Sequence, residues 1–147
     1  MPIGSKILRK GEWNVALDHV VLDYDARLIR RKRLETAAGA SFMVDLPETV
    51  SLNEGDAFQL IDGRVIEVRA AIEPVAVITG DLPRLAWHIG NRHTPCEITP
   101  AHLIIRRDPV IESMLAGLGA QISPQIAPFR PEGGAYGFGR TFGHAHD

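Results

Sequence analysis

The sequence predicts a mixed β and α+β fold in which an all-β domain precedes an α+β domain and a flexible C-terminal tail. In the first half, the apolar residues form short runs broken by Gly, Asn and Asp, and no helical period persists. In the second half, strand-like runs and two amphipathic segments follow the order β-α-β-β-α-β, which is the ferredoxin-like order. The glycine-rich end cannot hold a packed element. We therefore expect an all-β domain at 1–72, a ferredoxin-like domain at 73–136 and a flexible tail at 137–147.

The strands of the first domain are predicted from short β-rich runs. One run lies at residues 41–46, and we expect its strand to end at Pro47. Two further runs, at 57–60 and 65–68, flank Asp62-Gly63. Asp-Gly between two β-rich runs predicts a hairpin, because glycine adopts a positive φ at no steric cost.

The second domain is predicted to begin with a buried strand at 75–79, followed by a helix whose N-terminal signal is Asp81. The apolar residues of this helix recur at the i, i+3, i+4 and i+7 positions of one face. They are Leu82, Leu85, Ala86 and Ile89. Two short strands at 96–99 and 103–105 are then expected around a turn at 100–102.

The second helix has the clearest signals in the sequence. We expect Asp108 to cap its N-terminus, Pro109 to occupy the first helical position and Gly119 to end it. The face expected to be buried consists of Val110, Ile111, Met114, Leu115 and Leu118. A last strand is predicted at 121–129.

The composition limits the classes of function. Hydrophobic residues make up 45% and charged residues 23% of the 147 residues, which is typical of a soluble globular protein and excludes a fibrous or disordered chain. Sixteen Lys and Arg against eighteen Asp and Glu give a net charge of −2, so we expect no nucleic-acid partner. One cysteine allows no internal disulfide, and neither a secretory signal nor an apolar run of ~20 residues is visible. We therefore expect a cytoplasmic protein with no membrane partner.

Histidines are the candidate metal ligands, because imidazole is the commonest metal-binding side chain. Position alone favours a half-buried structural role for His93, since a continued first helix would return it to the apolar face. His88 on the helix flank, His102 in a turn and His19 in the β half fit surface positions. Cys96 forms a His-x-x-Cys pair with His93, although we favour a small buried side chain at the start of a strand.

A second pair of histidines lies at the end of the chain. His144 and His146 occur in the sequence His-Ala-His-Asp, where no core is available to bury them. Two imidazoles in His-x-His spacing can reach one ion from an extended backbone, and Asp147 can add an oxygen ligand. On this pattern, metal binding and a merely polar terminus are equally open.

No catalytic motif accompanies these ligands. The sequence lacks a P-loop, a dinucleotide-binding glycine motif, Gly-x-Ser-x-Gly and His-Glu-x-x-His. A metal-dependent hydrolase built on His93 would need a third fixed ligand and a general base, and the nearby carboxylates Glu97 and Asp108 lie in no such motif. We therefore expect no enzymatic activity, with a small metal-dependent hydrolase or a general metal-storage protein as the alternatives.

Three stretches resemble conserved parts of one known family. Residues 87–93, Trp-His-Ile-Gly-Asn-Arg-His, resemble the Leu-Gly-Asn-Arg-His motif of the urease accessory protein UreE family, the nickel metallochaperones. Residues 128–137 resemble the second conserved block of that family, and residues 108–115 resemble the helix between the two blocks. The resemblance covers the second half of the chain and extends more loosely to the first half through Gly55-Asp56 and Asp62-Gly63.

The resemblance implies a homodimeric chaperone that delivers Ni(II) to urease while the urease metallocentre is assembled. Its N-terminal β domain would bind peptide, and its partners would be the urease apoprotein and the other accessory proteins, including the GTPase. The metal histidine of the family falls on His93, and the tail histidines fall on His144 and His146. Zn(II) or Cu(II) would fit the same imidazole ligands.

The chain departs from the family pattern in two places. Some relatives end in a long histidine-rich tail, whereas this tail has two histidines. Certain relatives carry further histidines where this chain has Arg107 and Pro109. We therefore expect a single tight ion per dimer and no additional storage sites.

Overall fold

A computed structural model describes residues 1–133 of the chain, so the tail predicted at 137–147 lies outside the described residues. Over the described residues the chain divides into two compact units, 1–71 and 72–133, and each has its own hydrophobic core. Within 1–133, no helix is both long enough and apolar enough to cross a membrane.

The first unit is a curled sheet of six strands with one 3₁₀ turn, Asp25–Arg27. The strands are β1 (Ile3–Leu8), β2 (Asp18–Leu22), β3 (Leu28–Glu35), β4 (Ser41–Ser51), β5 (Ala57–Leu60) and β6 (Val65–Ala70). Their order across the sheet is β2-β6-β5-β1-β4-β3. The curl brings the two edge strands near each other, since the Ala37 N–H beyond β3 donates to the His19 carbonyl of β2 at 2.9 Å. The enclosed core includes Phe42 and Phe58, whose rings meet edge-on with centroids 5.5 Å apart.

The hairpin predicted at Asp62-Gly63 is confirmed. β5 and β6 pair antiparallel, and Gly63 has a φ of +92°. The Asp62 carboxylate accepts from the Arg64 backbone N–H at 3.0 Å, which fixes the turn from within. The local sequence therefore determines this turn, because the turn needs a positive φ and glycine adopts it easily.

The strand end predicted at Pro47 is wrong, because β4 continues to Ser51. The pairing of β3 with β4 shifts register between Ile29 and Arg31, so several residues of β4 face a bulge there. In that bulge a proline is tolerated, since no ladder N–H is required of it. The Pro47 carbonyl still accepts a hydrogen bond, from Arg30 Nη2 at 3.2 Å.

A buried carboxylate explains the Gly55-Asp56 pair in the first unit. Asp56 is 1% exposed and forms an ion pair with Arg9 Nη1 at 2.8 Å. Its carboxylate also accepts from the backbone N–H groups of Lys10 at 3.1 Å and Asn53 at 2.8 Å. These bonds satisfy the buried charge and tie the segment after β1 to the turn before β5.

The second unit has the predicted element order β-α-β-β-α-β. Its elements are β7 (Ile72–Thr79), α1 (Leu82–Asn91), β8 (Glu97–Ile98), β9 (Leu103–Arg106), α2 (Pro109–Gly117) and β10 (Gln121–Pro128). The strands form an antiparallel sheet in the order β10-β7-β9-β8. Buried residues of both helices and of the two central strands form one core, and they are Ala76, Ile78, Leu85, Ile89, Leu103, Ile105, Ile111 and Leu115.

The second helix begins as predicted but buries a narrower face. The Asp108 carboxylate accepts from the backbone N–H groups of Val110 at 2.9 Å and Ile111 at 3.1 Å, which confirms the N-cap. Ile111 and Leu115 are buried, whereas Val110 is 69% and Leu118 39% exposed. The prediction was wrong at Val110 because neighbouring helix residues point about 100° apart. It was wrong at Leu118 because that residue is the C-cap and lies beyond the helix.

Candidate metal site

His93 lies just beyond the C-terminus of α1. The helix begins after Asp81, whose carboxylate accepts from the Arg84 N–H, and it ends at Asn91 with Arg92 as the C-cap. His93 is exposed to solvent. A half-buried position on the apolar face of a continued helix is therefore excluded, because the helix stops two residues before His93.

The backbone around His93 forms a Schellman motif, a hydrogen-bonded helix ending with a left-handed residue just beyond the C-cap. The His93 N–H donates to the Gly90 carbonyl at 2.9 Å, and the Thr94 N–H donates to the Ile89 carbonyl at 3.3 Å. His93 has a φ of +56° and is the only non-glycine residue with a positive φ among residues 1–133. Glycine normally occupies this position, because a Cβ in the left-handed region costs roughly 1–2 kcal/mol.

The strained backbone of His93 raises the question of why a side chain is kept at this position. Backbone strain persists where the surrounding structure enforces it and where the side chain is needed. Glycine at position 93 would relieve the strain and keep both hydrogen bonds of the motif. The exposed side chain of His93 therefore stands at a backbone position where glycine would carry no strain.

Cys96, the possible partner of His93 in a His-x-x-Cys pair, belongs to the core. Its side chain packs against the hydrophobic cluster of the second unit, and its thiol donates to the Glu97 carbonyl at 3.5 Å. Burial raises the pKa of the Cys96 thiol from 9.0 to about 11. A thiol that stays protonated at neutral pH is a poor metal ligand, because metals bind the thiolate.

The other histidines of the described chain do not join His93 in a ligand cluster. Among residues 1–133, no group of three or more His, Cys, Asp or Glu side chains could hold a metal ion. The His88 ring packs edge-on against Trp87 with centroids 5.0 Å apart. The backbone of His102 closes a turn with the Thr99 hydroxyl. His144 and His146 lie outside the described residues.

The segment after β10 returns to the start of β8, where Cys96 lies three positions beyond His93 along the chain. The Arg130 N–H donates to the Glu97 carboxylate, and the Glu132 N–H donates to the Cys96 carbonyl, both at 2.8 Å. Phe129, at the start of this segment, is fully buried. The two sequence blocks of the second unit therefore meet in space. The sequence gives no local signal for this junction, because its partners are more than thirty positions apart.

Arg107 and Pro109, which replace histidines of certain relatives, take part in the start of α2. Arg107 Nε forms an ion pair with Glu112 at 2.9 Å. The pKa of the Glu112 carboxyl is lowered, chiefly because Arg107 donates a hydrogen bond to it. Pro109 fills the first turn, where its missing N–H is not needed. Both residues thus have structural roles in this chain.

The chain is similar to a known family over its whole length. A family model described as UreE urease accessory protein, N-terminal domain, matches residues 5–71, and one described as UreE urease accessory protein, C-terminal domain, matches residues 64–147. The urease accessory protein UreE of Rhodobacter capsulatus is 61% identical over 142 residues, covering 97% of this chain and 91% of that protein. The UreE protein of Ruegeria pomeroyi is 56% identical over 147 residues and covers 99% of both chains. That of Paracoccus denitrificans is 61% identical over 141 residues, covering 96% and 90%.

Proposed function

This chain belongs to the family of UreE urease accessory proteins, and we propose that it is a metallochaperone that delivers Ni(II) to urease during assembly of the urease metallocentre. The relatives are named urease accessory proteins, which supports a role in urease assembly rather than in catalysis. Its partners on this proposal are the urease apoprotein and the other accessory proteins, including the GTPase.

The observation that carries the proposal is the left-handed conformation of His93. An exposed imidazole is kept where glycine would be more stable. Neutral imidazole is a good ligand for nickel and also for Zn(II) and Cu(II), which would compete for the same site. An exposed ligand also suits a cargo ion, because closed shells of four protein ligands are typical of structural metal sites.

The proposed working form is a homodimer. One imidazole is too few for a tight site, and the described part of one chain offers no cluster that would complete it. A two-fold axis next to His93 would place the same residue from both copies on one ion. A single sequence position would then supply two ligands.

His144 and His146 are proposed to complete the ligand shell. The last described residue, Gly133, follows Glu132, which is hydrogen-bonded to Cys96 only three positions from His93. His144 is eleven residues beyond Gly133, and an extended chain of that length spans up to about 38 Å. The length of the chain therefore allows these histidines to reach an ion at His93 of either copy.

We take the second unit to be a ferredoxin-like metal-binding domain and the first to be a peptide-binding domain. The four strands of the second unit lie side by side in the order β10-β7-β9-β8. When the strands are numbered along the chain, this order across the sheet is fourth, first, third and second, which supports the ferredoxin-like assignment. The first unit is matched separately by the N-terminal family model, which supports a distinct role for it.

Calorimetric titration with nickel tests the proposal, with light scattering to measure the oligomeric state. The full chain should bind one tight Ni(II) per dimer, and His93→Ala should remain dimeric but bind at least about a hundredfold more weakly. His88→Ala and His102→Ala are matched controls that should bind like the parent. Nickel-loaded parent should activate urease apoprotein more efficiently than the same amount of free nickel. Full nickel affinity in the His93→Ala protein would refute the proposal.

A further inference from the structure

The strand β3 forms one edge of the sheet of the first unit and carries four successive cationic residues. In the order β2-β6-β5-β1-β4-β3, its one neighbour among the described strands is β4. The four residues are all exposed, and they are Arg30, Arg31, Lys32 and Arg33. In a strand that is covered on one face, every second residue is buried. Four successive exposed residues therefore mean that β3 is open to solvent on both faces at this point.

The register of β3 determines which of its backbone groups point away from β4. An antiparallel ladder alternates between residue pairs that exchange backbone hydrogen bonds and pairs that do not. The Thr36 N–H donates to the Ala40 carbonyl at 2.7 Å, so bonded pairs follow at every second position back along β3. Arg31 and Arg33 fall between these bonded pairs. The N–H of Met43, opposite Arg33, agrees with this phase, because it donates on the other side of β4, to the residue before β1. The N–H and C=O groups of Arg31 and Arg33 therefore point to the free edge.

The side chains at this edge are positively charged at the same residues. Arg31 forms an exposed ion pair with Asp45, in which Nε and Oδ1 are 3.0 Å apart. Arg33 Nη2 donates to the Ser41 hydroxyl at 3.2 Å. Within residues 1–133, neither Lys32 nor Arg33 forms an ion pair. The free edge thus combines backbone hydrogen-bonding groups with cationic side chains.

We propose that the free edge of β3 is a docking site for an extended acidic segment of a partner protein, which adds to the sheet as a further strand. The backbone groups of Arg31 and Arg33 would continue the ladder, and carboxylates at alternate positions of the segment would lie opposite the two guanidinium groups. A carboxylate matches the planar fork of a guanidinium. The inference rests on the peptide-binding role proposed for the first unit, and it names the strand and the chemistry of the peptide.

The same charges disfavour a second copy of this chain as the occupant. If β3 paired with its own copy, cations would face cations, and like charges directly opposite each other destabilise a pair of strands. Lys32 adds to this repulsion, because it pairs with the fully buried Val44 and so belongs to the inner face, yet it is exposed. A nucleic acid is disfavoured as well, since the chain has a net charge of −2 and a phosphate backbone cannot extend a β ladder.

The edge of the second sheet shows what an edge closed to further strands contains. β10 includes Pro124 and Pro128, neither of which has an N–H to offer a further strand. β3 has no proline between Leu28 and Glu35, and its register shift lies before Arg31. The regular part of β3 is therefore protected by charge alone. Charge rejects strands of the same sign and admits an acidic one.

Fluorescence anisotropy of a labelled peptide tests the inference with the full-length protein. The probe is Thr-Val-Glu-Val-Glu-Val-Thr, blocked at both ends, and its control has lysine at the two glutamate positions. The parent should bind the probe at least about tenfold more tightly than the control. Arg31→Ala/Arg33→Ala should weaken binding about fivefold, because two exposed ion pairs are lost. Arg64→Ala/Arg69→Ala removes two exposed arginines away from β3 and should stay within about twofold of the parent.

Methylated peptides separate strand addition from attraction between charges alone. N-methylation of the probe at alternate residues removes the donors of one phase and keeps both carboxylates. One of the two phases should bind at least about tenfold more weakly, while the other stays within about twofold of the unmodified probe. On the protein, saturating probe should slow amide exchange at Arg31 and Arg33 at least about threefold and leave Lys32 and Leu34 unchanged, because the latter two face β4.

Four results would overturn the inference. They are no binding of the probe below about 1 mM, equal binding of the two methylated phases, unchanged binding by Arg31→Ala/Arg33→Ala, and binding of poly-uridine as tight as that of the probe. If the probe bound but ignored both arginines, the peptide-binding role of the first unit would stand and the choice of β3 would be wrong. Nickel titration of Arg31→Ala/Arg33→Ala should match the parent, so the nickel proposal stands or falls separately.

Discussion

The two helices of the second unit end in the same hydrogen-bonding pattern around different residues. Beyond α1 the left-handed position is His93, with a φ of +56°. Beyond α2 it is Gly119, with a φ of +90°; its N–H donates to Ala116 at 3.0 Å and the next N–H donates to Leu115 at 3.1 Å. The pairings are those seen at His93, so the two motifs differ chiefly in the side chain at the strained position.

Stability explains the residue beyond α2 but not the residue beyond α1. A Cβ added to Gly119 would meet nothing within 4 Å, so glycine is required there by its φ and not by lack of space. The end of α2 therefore has the residue that stability favours. The end of α1 has a histidine where glycine would be more stable. For this reason we propose a nickel ligand at His93 and no metal ligand at the end of α2.

The largest expected effect comes from making the two helix ends alike. His93→Gly should lower nickel affinity as much as His93→Ala, by at least about a hundredfold, because each dimer of the proposed function would lose two ligands at once. At ~1.4 kcal/mol per decade this is roughly 3 kcal/mol of binding free energy or more. Calorimetric titration of the two variants beside the parent measures it.

The reciprocal change is the control for that prediction. Gly119→His places an exposed imidazole in the same backbone conformation at the end of α2, and it should neither create a nickel site nor rescue His93→Gly. A nickel site at residue 119 of comparable affinity would show that any histidine in this conformation binds, and the special role of the α1 end would be lost.

A smaller effect tests how firmly the segment beyond His93 is fixed. Cys96 returns to the core, and burial raises the pKa of its thiol to about 11. The thiol therefore ionises at a lower pH in the unfolded chain than in the folded protein. Burial of the neutral thiol contributes fully to the free energy of unfolding below pH 9.0, and this contribution is lost as the pH rises toward 11. After allowance for partial exposure, the loss should be about 2 kcal/mol. Denaturant unfolding of the parent between pH 8 and 11 should show it, and Cys96→Ala should show a flatter curve.

The sequence predicts the structure where residues within one turn of each other determine it. Both ends of α2 follow from Asp108, Pro109 and Gly119, because caps act within one turn. The hairpin at Asp62-Gly63 follows in the same way from a two-residue requirement. The element order of the second unit could be predicted because each run is short and bounded by such signals.

The features that failed or were missed depend on distant partners. The continuation of β4 through Pro47 depends on a bulge in its pairing with β3, which the sequence around Pro47 does not encode. The bond between Glu97 and Arg130 joins residues far apart in the chain. The positive φ of His93 has no local signal, because Gly90 and Asn91, the residue types that usually take the left-handed position after a helix, both lie inside α1.

The smallest expected effects compare the stability of the two helix ends directly. Gly119→Ala should destabilise the second unit by about 1 kcal/mol, because the left-handed conformation costs roughly 1–2 kcal/mol while alanine lowers the entropy of the unfolded chain. His93→Gly should stabilise it by a smaller amount, about 0.5 kcal/mol, because the left-handed conformation costs histidine less than alanine and glycine raises the entropy of the unfolded chain. Amide hydrogen exchange in the core of the second unit measures both changes, and His93→Ala should lie near the parent because it keeps the Cβ and hence the strain. If His93→Gly proved less stable than His93→Ala, residue 93 would carry no strain, and histidine would not be retained there at the expense of stability.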